Sequence, residues 1–147
     1  RGECWVEKKK EGERRVAVIE WRSEDTVAAE LAQEAVDVDG KKLLVARRDL
    51  GVDALRSLAQ KVKGRLGSGV VVLGTAGDGR ANLVGAVTKD LTQRGVSARD
   101  LLAPGAALLG GGGGGKPELA ISGGPDHDRL EEAIEAVRHA ALAALSG

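Results

Sequence analysis

The sequence contains no Phe, Tyr or Met, only two Trp, three Pro and one Cys in 147 residues. Without large rings the core has to be built from Val, Leu, Ile and Ala. The lone Cys4 cannot close an internal disulfide, and no Cys/His group has zinc-site spacing, so neither staple is available to the fold. These absences predict a cytoplasmic protein with no metal and no cofactor. No apolar run approaches the roughly 18 residues of a membrane helix, and the first residues are charged, so no membrane partner is expected. Net charge is also missing, with 22 Lys+Arg against 22 Asp+Glu. That excludes a wholly basic nucleic-acid coat and an acidic tail. Arg1 stands where an initiator Met would, which suggests a piece of a longer protein.

What is present is ordinary for a folded chain: 42% hydrophobic and 30% charged residues, at a length that holds one core. The neutral total hides local asymmetry. Residues 23–39 carry six acids and no base. Residues 40–66 carry Lys41, Lys42, Arg47, Arg48, Arg56, Lys61, Lys63 and Arg65 against two acids. Local sign decides what a surface attracts. A solvated strand and helix would account for these charges as readily as a phosphate-binding ridge.

Periodicity and punctuation outline a mixed domain. Residues 3–21 read as a hairpin, with Trp5 and Trp21 in apolar arms around a polar turn containing Gly12. Ser23 can cap a helix with Val27, Leu31 and Ala35 on one stripe, closed by an Asp39-Gly40 turn. Residues 42–47 read as a buried strand. Val52 to Leu66 has the three-and-four spacing of an amphipathic helix, with Arg56, Lys61, Lys63 and Arg65 on its polar side. Gly67 and Gly69 stop that helix. Residues 70–73 form a second strand, joined through Gly77-Asp78-Gly79 to an antiparallel partner over 81–87. Ser97 can cap a helix to Leu109 that Pro104 and Gly105 weaken or kink. Asp126 starts a last helix, with Leu130, Ile134, Val137, Ala141 and Leu145 on one stripe and Gly147 past its end. This order gives an α/β (α+β) domain: a small mixed sheet flanked by helices, with a glycine-rich loop before the last strand and the C-terminal helix. Residues 1–36 form the hairpin and first helix, and residues 37–147 the globular domain.

Residues 110–115 are six consecutive glycines. Each costs roughly 0.5–1 kcal/mol more than alanine to order, so the run needs a reason. Chain without Cβ atoms lets backbone N–H groups of Gly112, Gly113, Gly114 and Gly115 close on a phosphate, with Lys116 as a point charge beside them. A flexible linker is the competing explanation. The apolar Leu119-Ala120-Ile121 and the pair Gly123-Gly124 that follow are not linker features. Gly115-Lys116-Pro117 is not the Gly-Lys-Ser/Thr start of a Walker loop. Asp126-His127-Asp128 sits at a helix start, where capping is its expected role rather than metal binding; His139 is read as a surface or boundary residue.

The stretch GGGGGGKPELAISGG (Gly110 to Gly124), with VTKDL (Val87 to Leu91) before it, resembles the C-terminal domain of alanyl-tRNA synthetases. That domain belongs to the wider group attached to DHH-type phosphoesterases. LAQEA (Leu31 to Ala35) and DALRSLAQKV (Asp53 to Val62) extend the likeness, which runs from about Leu31 to Leu145. Lys116 stands where the phosphoesterase relatives usually carry His, which places the resemblance on the synthetase branch. Ile121-Ser122 departs from the Gln and small residue common there.

The resemblance implies a non-catalytic module that binds the outer corner of tRNA, alanine-specific by analogy, and assists aminoacylation and editing. Arg47, Arg48, Lys61, Lys63, Arg65 and Lys116, with Gly112 to Gly115, would contact the RNA backbone. Two alternatives stand beside it. One is an assembly module, a homodimer paired through the Leu130 to Leu145 stripe or the N-terminal hairpin. The other is the substrate-binding half of a DHH-type phosphoesterase, although no metal ligands for hydrolysis are present in the sequence.

Overall fold

The computed structural model describes residues 5–7, 10–11, 14–15, 19–21, 24–48, 50–77 and 79–146. Near the N-terminus, β1 (Trp5–Glu7) pairs antiparallel with β4 (Ile19–Trp21), and β2 (Lys10–Glu11) with β3 (Arg14–Arg15). This is the expected hairpin. Cys4, the Ser23 cap, Asp78, Gly147 and the packing of both Trp side chains lie outside the described residues.

α1 (Glu24–Glu34) is followed by β5 (Val36–Val38) and β6 (Lys41–Arg47), and then by α2 (Val52–Leu66). The long β7 (Gly69–Gly77) and β8 (Arg80–Val87) come next, then the short α3 (Lys89–Thr92) and α4 (Ala98–Leu109). β9 (Gly112–Gly115), β10 (Leu119–Gly124) and α5 (Leu130–Leu145) complete the chain. Six strands form one mixed sheet in the order β5-β6-β7-β8-β10-β9. Among the described strands only β6 and β7 run parallel, joined by α2 as the crossover.

The sheet is covered on both faces, so its central strands are apolar without alternation. Val70 and Val72 of β7, with Leu83 and Val87 of β8, pack against α4 and α5. Val71 and Leu73, with Val84 and Ala86, pack against α1 and α2, where Leu31, Leu55, Leu58 and Val62 are buried. Burying each such side chain contributes about 1.5–3 kcal/mol, which is how a core without Phe or Tyr holds together.

Several expectations change. The polyglycine is not a loop: Gly112 to Gly115 form an edge strand paired with β10. Asp39-Gly40 does not close the first helix. The helix ends at Glu34, and the two residues turn the β5–β6 hairpin with φ of 51° and 84°, the positive pair that a tight two-residue turn requires. α4 runs from Ala98 to Leu109 with Pro104 inside it, which leaves the expectation of a weakened or kinked helix standing. The lost hydrogen bond and ring clash cost about 3 kcal/mol, but Leu101, Leu102, Ala106 and Leu109 are buried on either side and hold the helix down. Ser97 and Asp126 occupy N-cap positions, yet neither makes a side-chain cap bond, and Asp126 opens a 3-10 turn (His127–Arg129) rather than α5 itself. The Leu130, Ile134, Val137, Ala141 and Leu145 stripe is buried in this chain's own core. It is therefore not a surface for a second copy, and the assembly reading loses that contact.

Candidate nucleic-acid interface

The sheet has an entry end, where β6 and β7 start, and an exit end, where they finish. At the entry end Lys42 lies opposite Gly69 and Val70 opposite Val87. Thr88 N–H donates to Gly69 O at 3.1 Å, and its Oγ1 accepts from Gly69 N–H at 3.0 Å. Gly69 is obligatory here, since a Cβ would stand 2.4 Å from Lys42 O. Val87 N–H donates to Glu118 O and Ala98 N–H to Pro117 O, which bring the β9–β10 turn and the start of α4 to the same end. Lys41 Nζ donates to Leu145 O at 3.0 Å, anchoring the end of α5 there as well.

This geometry sorts the expected phosphate ligands. Lys63 and Arg65, in the last turn of α2, and Lys116, in the β9–β10 turn, share the entry end. None of the three makes an ion pair among the described residues. Arg47 and Arg48 lie at the exit end, where Arg48 N–H donates to Gly74 O at 2.9 Å. Arg47 Nη1 donates to Glu131 Oε2 at 2.9 Å, and Arg48 Nη2 lies 3.6 Å from Glu34. Lys61 Nζ donates to Asp25 Oδ1 at 2.8 Å, linking α2 to α1. That hydrogen bond, the ammonium charge behind it and, more weakly, the Arg65 charge hold the Asp25 carboxyl below the usual carboxylate range. The six basic residues are therefore not one ridge.

Gly112 to Gly115 lie at the sheet edge opposite β5. Lys116 and Leu119 exchange backbone hydrogen bonds, so by antiparallel alternation Gly113 and Gly115 turn their N–H and C=O groups outward. The fold accounts for glycine at Gly111, where a Cβ would stand 2.0 Å from Gly123 O, and at Gly115, 2.7 Å from Ala120 Cα. It does not require glycine at Gly112 or Gly114, where the same Cβ would meet nothing within 4 Å. Between α4 and this strand lies an open cleft of about 270 Å³, bordered by Arg99, Asp100, Leu102, Gly112, Gly114 and Ser122. Ser122 is 6% exposed and its hydroxyl has no hydrogen-bond partner among the described residues.

Three cations outside the basic segment also reach the entry end. Lys89 opens α3 directly after Thr88, Arg94 follows that helix beside Lys41 and Leu145, and Arg99 lies in the first turn of α4. Their sequence neighbourhood is not basic, so counting charge by segment missed them; only the VTKDL motif touched one. Asp90 at this end accepts from Ser68 Oγ at 2.6 Å. That bond, with a second from the Thr88 side chain, keeps its carboxyl below the usual range.

Comparison with known proteins places this arrangement. Residues 39–142 match the model of the DHHA1 domain. The chain is 47% identical over 132 residues to an alanine–tRNA ligase of Anaeromyxobacter dehalogenans, covering 88% of this chain and 14% of that protein. It is 41% identical over 134 residues to the alanine–tRNA ligase of Shewanella loihica, covering 90% of this chain and 15% of that protein. The chain thus spans only about one seventh of the length of these curated relatives. Among solved structures, the C-Ala domain of Aquifex aeolicus alanyl-tRNA synthetase superposes with a TM-score of 0.64 at 27% identity, over 77% of this chain and 98% of that one. A DHH domain described as a member of the s1p family of ribosomal proteins gives a TM-score of 0.57 at 13% identity, over 84% of this chain and 31% of that one, which speaks to the fold alone. The chain belongs to the DHHA1 domain family. Its mixed six-stranded sheet flanked by helices matches the C-Ala fold, and the relatives similar over most of its length are alanyl-tRNA synthetases.

Proposed function

We propose that this chain is the C-terminal tRNA-binding domain of a cytoplasmic alanine–tRNA ligase, not catalytic by itself, which holds the outer corner of tRNA and so assists aminoacylation and editing. The observation that carries the reading is that Lys63, Arg65 and Lys116, expected to meet phosphates, stand at one end of the sheet and make no ion pair among the described residues. Phosphate contacts supply affinity and register without reading bases. Recognition would then rest on the shape of a folded RNA. Within Gly112 to Gly115, Gly113 and Gly115 would add outward N–H groups on a strand edge rather than a closed anion pocket.

The test is a titration of folded tRNA, with single-stranded RNA of equal length as competitor, at rising KCl. Binding should be steeply salt-dependent and stronger for the folded RNA. No binding at low ionic strength, or equal affinity for both RNAs, removes the reading.

A further inference from the structure

The two ends of the sheet differ in how their charges are satisfied. At the exit end four arginines are bonded locally, Arg47 to Glu131, Arg48 to Glu34, Arg56 to Asp53 and Arg129 to Glu132, while Arg80, opposite Gly77 at the start of β8, makes no ion pair among the described residues. Asp126 and Asp128 add further negative charge there, at the turn that leads into α5. At the entry end Lys63, Arg65, Lys89, Arg94, Arg99 and Lys116 make no ion pair among the described residues, against Asp90, Asp100 and Glu118. Asp90 is already engaged by the Ser68 hydroxyl. The remaining charges described there balance, Lys41 and Lys42 with Asp37 and Asp39, and Lys61 with Asp25, on which the Arg65 charge also acts; Lys42 lies 3.7 Å from Asp37. The N-terminus of α4 adds its partial positive charge at the same end; the C-termini of α2 and α5 oppose it, the latter covered by Lys41. A chain with zero net charge is thus polarised along its strands.

We propose that the RNA backbone lies across the entry end of the sheet, contacted by Lys63, Arg65, Lys89, Arg94, Arg99 and Lys116, with the exit end facing away. This rests on the tRNA reading above and goes beyond it, because it chooses the face and adds three residues. Neighbouring strand ends are about 4.8 Å apart, so the row from the end of α2 at β7, across Lys89 after β8, to Lys116 at β9 spans roughly 15 Å. Several consecutive phosphates can be met along that row. Apart from Arg80, the exit-end arginines would have to give up their carboxylates before meeting a phosphate, and Glu131, Asp126 and Asp128 would repel it there. The cleft beside the polyglycine strand has Arg99 and Asp100 on its rim, opposite charges that give a polyanion no net attraction.

The experiment uses the intact chain and a folded tRNA transcript, followed by fluorescence anisotropy between 50 and 200 mM KCl. Each phosphate contact contributes about 0.7–0.9 to the slope of log affinity against log salt. The triple variant K89Q/R99Q/K116Q should therefore lower the slope by about 2.1–2.7. The wild-type affinity would fall about 20- to 40-fold more than the variant's over that range. The charge-conserving K89R/K116R should keep the wild-type slope, which separates lost charge from altered packing. If R47Q/R48Q/R56Q changes the slope more than K89Q/R99Q/K116Q does, or the latter changes nothing, the inference is overturned while the tRNA reading survives. If the wild type binds no tRNA, both fall.

Discussion

The same substitution, Gly to Ala, should move stability in opposite directions at two helical positions. Gly105 sits where α4 crosses α5. A Cβ there would stand 2.6 Å from Val137 Cγ2, 2.7 Å from Leu83 Cδ1 and 3.0 Å from Ala133 O. The two methyls can shift only into a packed core, and the carbonyl belongs to α5, so the helices themselves must separate. Overpacking of this kind costs about 1–3 kcal/mol. The gain in helix propensity from Gly to Ala returns up to about 1 kcal/mol. The net for Gly105→Ala is a loss of about 1–2 kcal/mol. Gly64, inside α2, has nothing within 4 Å of an added Cβ and no positive φ. Only the propensity term remains there, so Gly64→Ala should gain about 0.5–1 kcal/mol. Urea unfolding followed by circular dichroism measures both: the midpoint should fall for Gly105→Ala and rise for Gly64→Ala with the slope unchanged. A Gly105→Ala protein as stable as wild type would refute the close approach of α4 to α5. A destabilised Gly64→Ala would refute the open surface at that turn of α2.

Two further outcomes follow from buried or bonded polar groups. Because Ser122 buries a hydroxyl without a partner, Ser122→Ala should leave the protein more stable by about 1 kcal/mol; destabilisation in the same urea experiment would show that the hydroxyl is satisfied after all. The carboxyl of Asp90 is held low by the Ser68 and Thr88 side chains, so its stabilising contribution is complete above the ordinary carboxylate value near pH 4 and disappears as pH falls below it. Asp90→Asn should therefore flatten the acid side of a plot of Tm against pH. An unchanged acid limb would mean that the Ser68–Asp90 contact does not persist in solution.

The sequence by itself determined the elements whose residues carry both period and boundary. α2 and α5 were legible because their apolar residues recur at three-and-four spacing, and β7 and β8 because Val70 to Leu73 and Ala81 to Val87 are short apolar runs ending in turn residues. The family resemblance was legible for a related reason, since Gly110 to Gly124 combines a composition and a spacing that no periodic element needs. Tertiary structure decided the rest. Glycine has no intrinsic strand preference, so only the exposed edge of β10 could make a strand of Gly112 to Gly115. Pro104 reads as weakening or kinking α4 because local propensity sees the missing N–H and not the buried Leu102, Ala106 and Leu109 that hold the helix down around it. The basic residues between 40 and 66 formed one block along the chain, yet the parallel crossover puts the end of β6 and the end of α2 at opposite ends of the sheet. Charge counted along a chain ignores that reversal, and only the folded strands decide which cations share a face and which have already found a carboxylate.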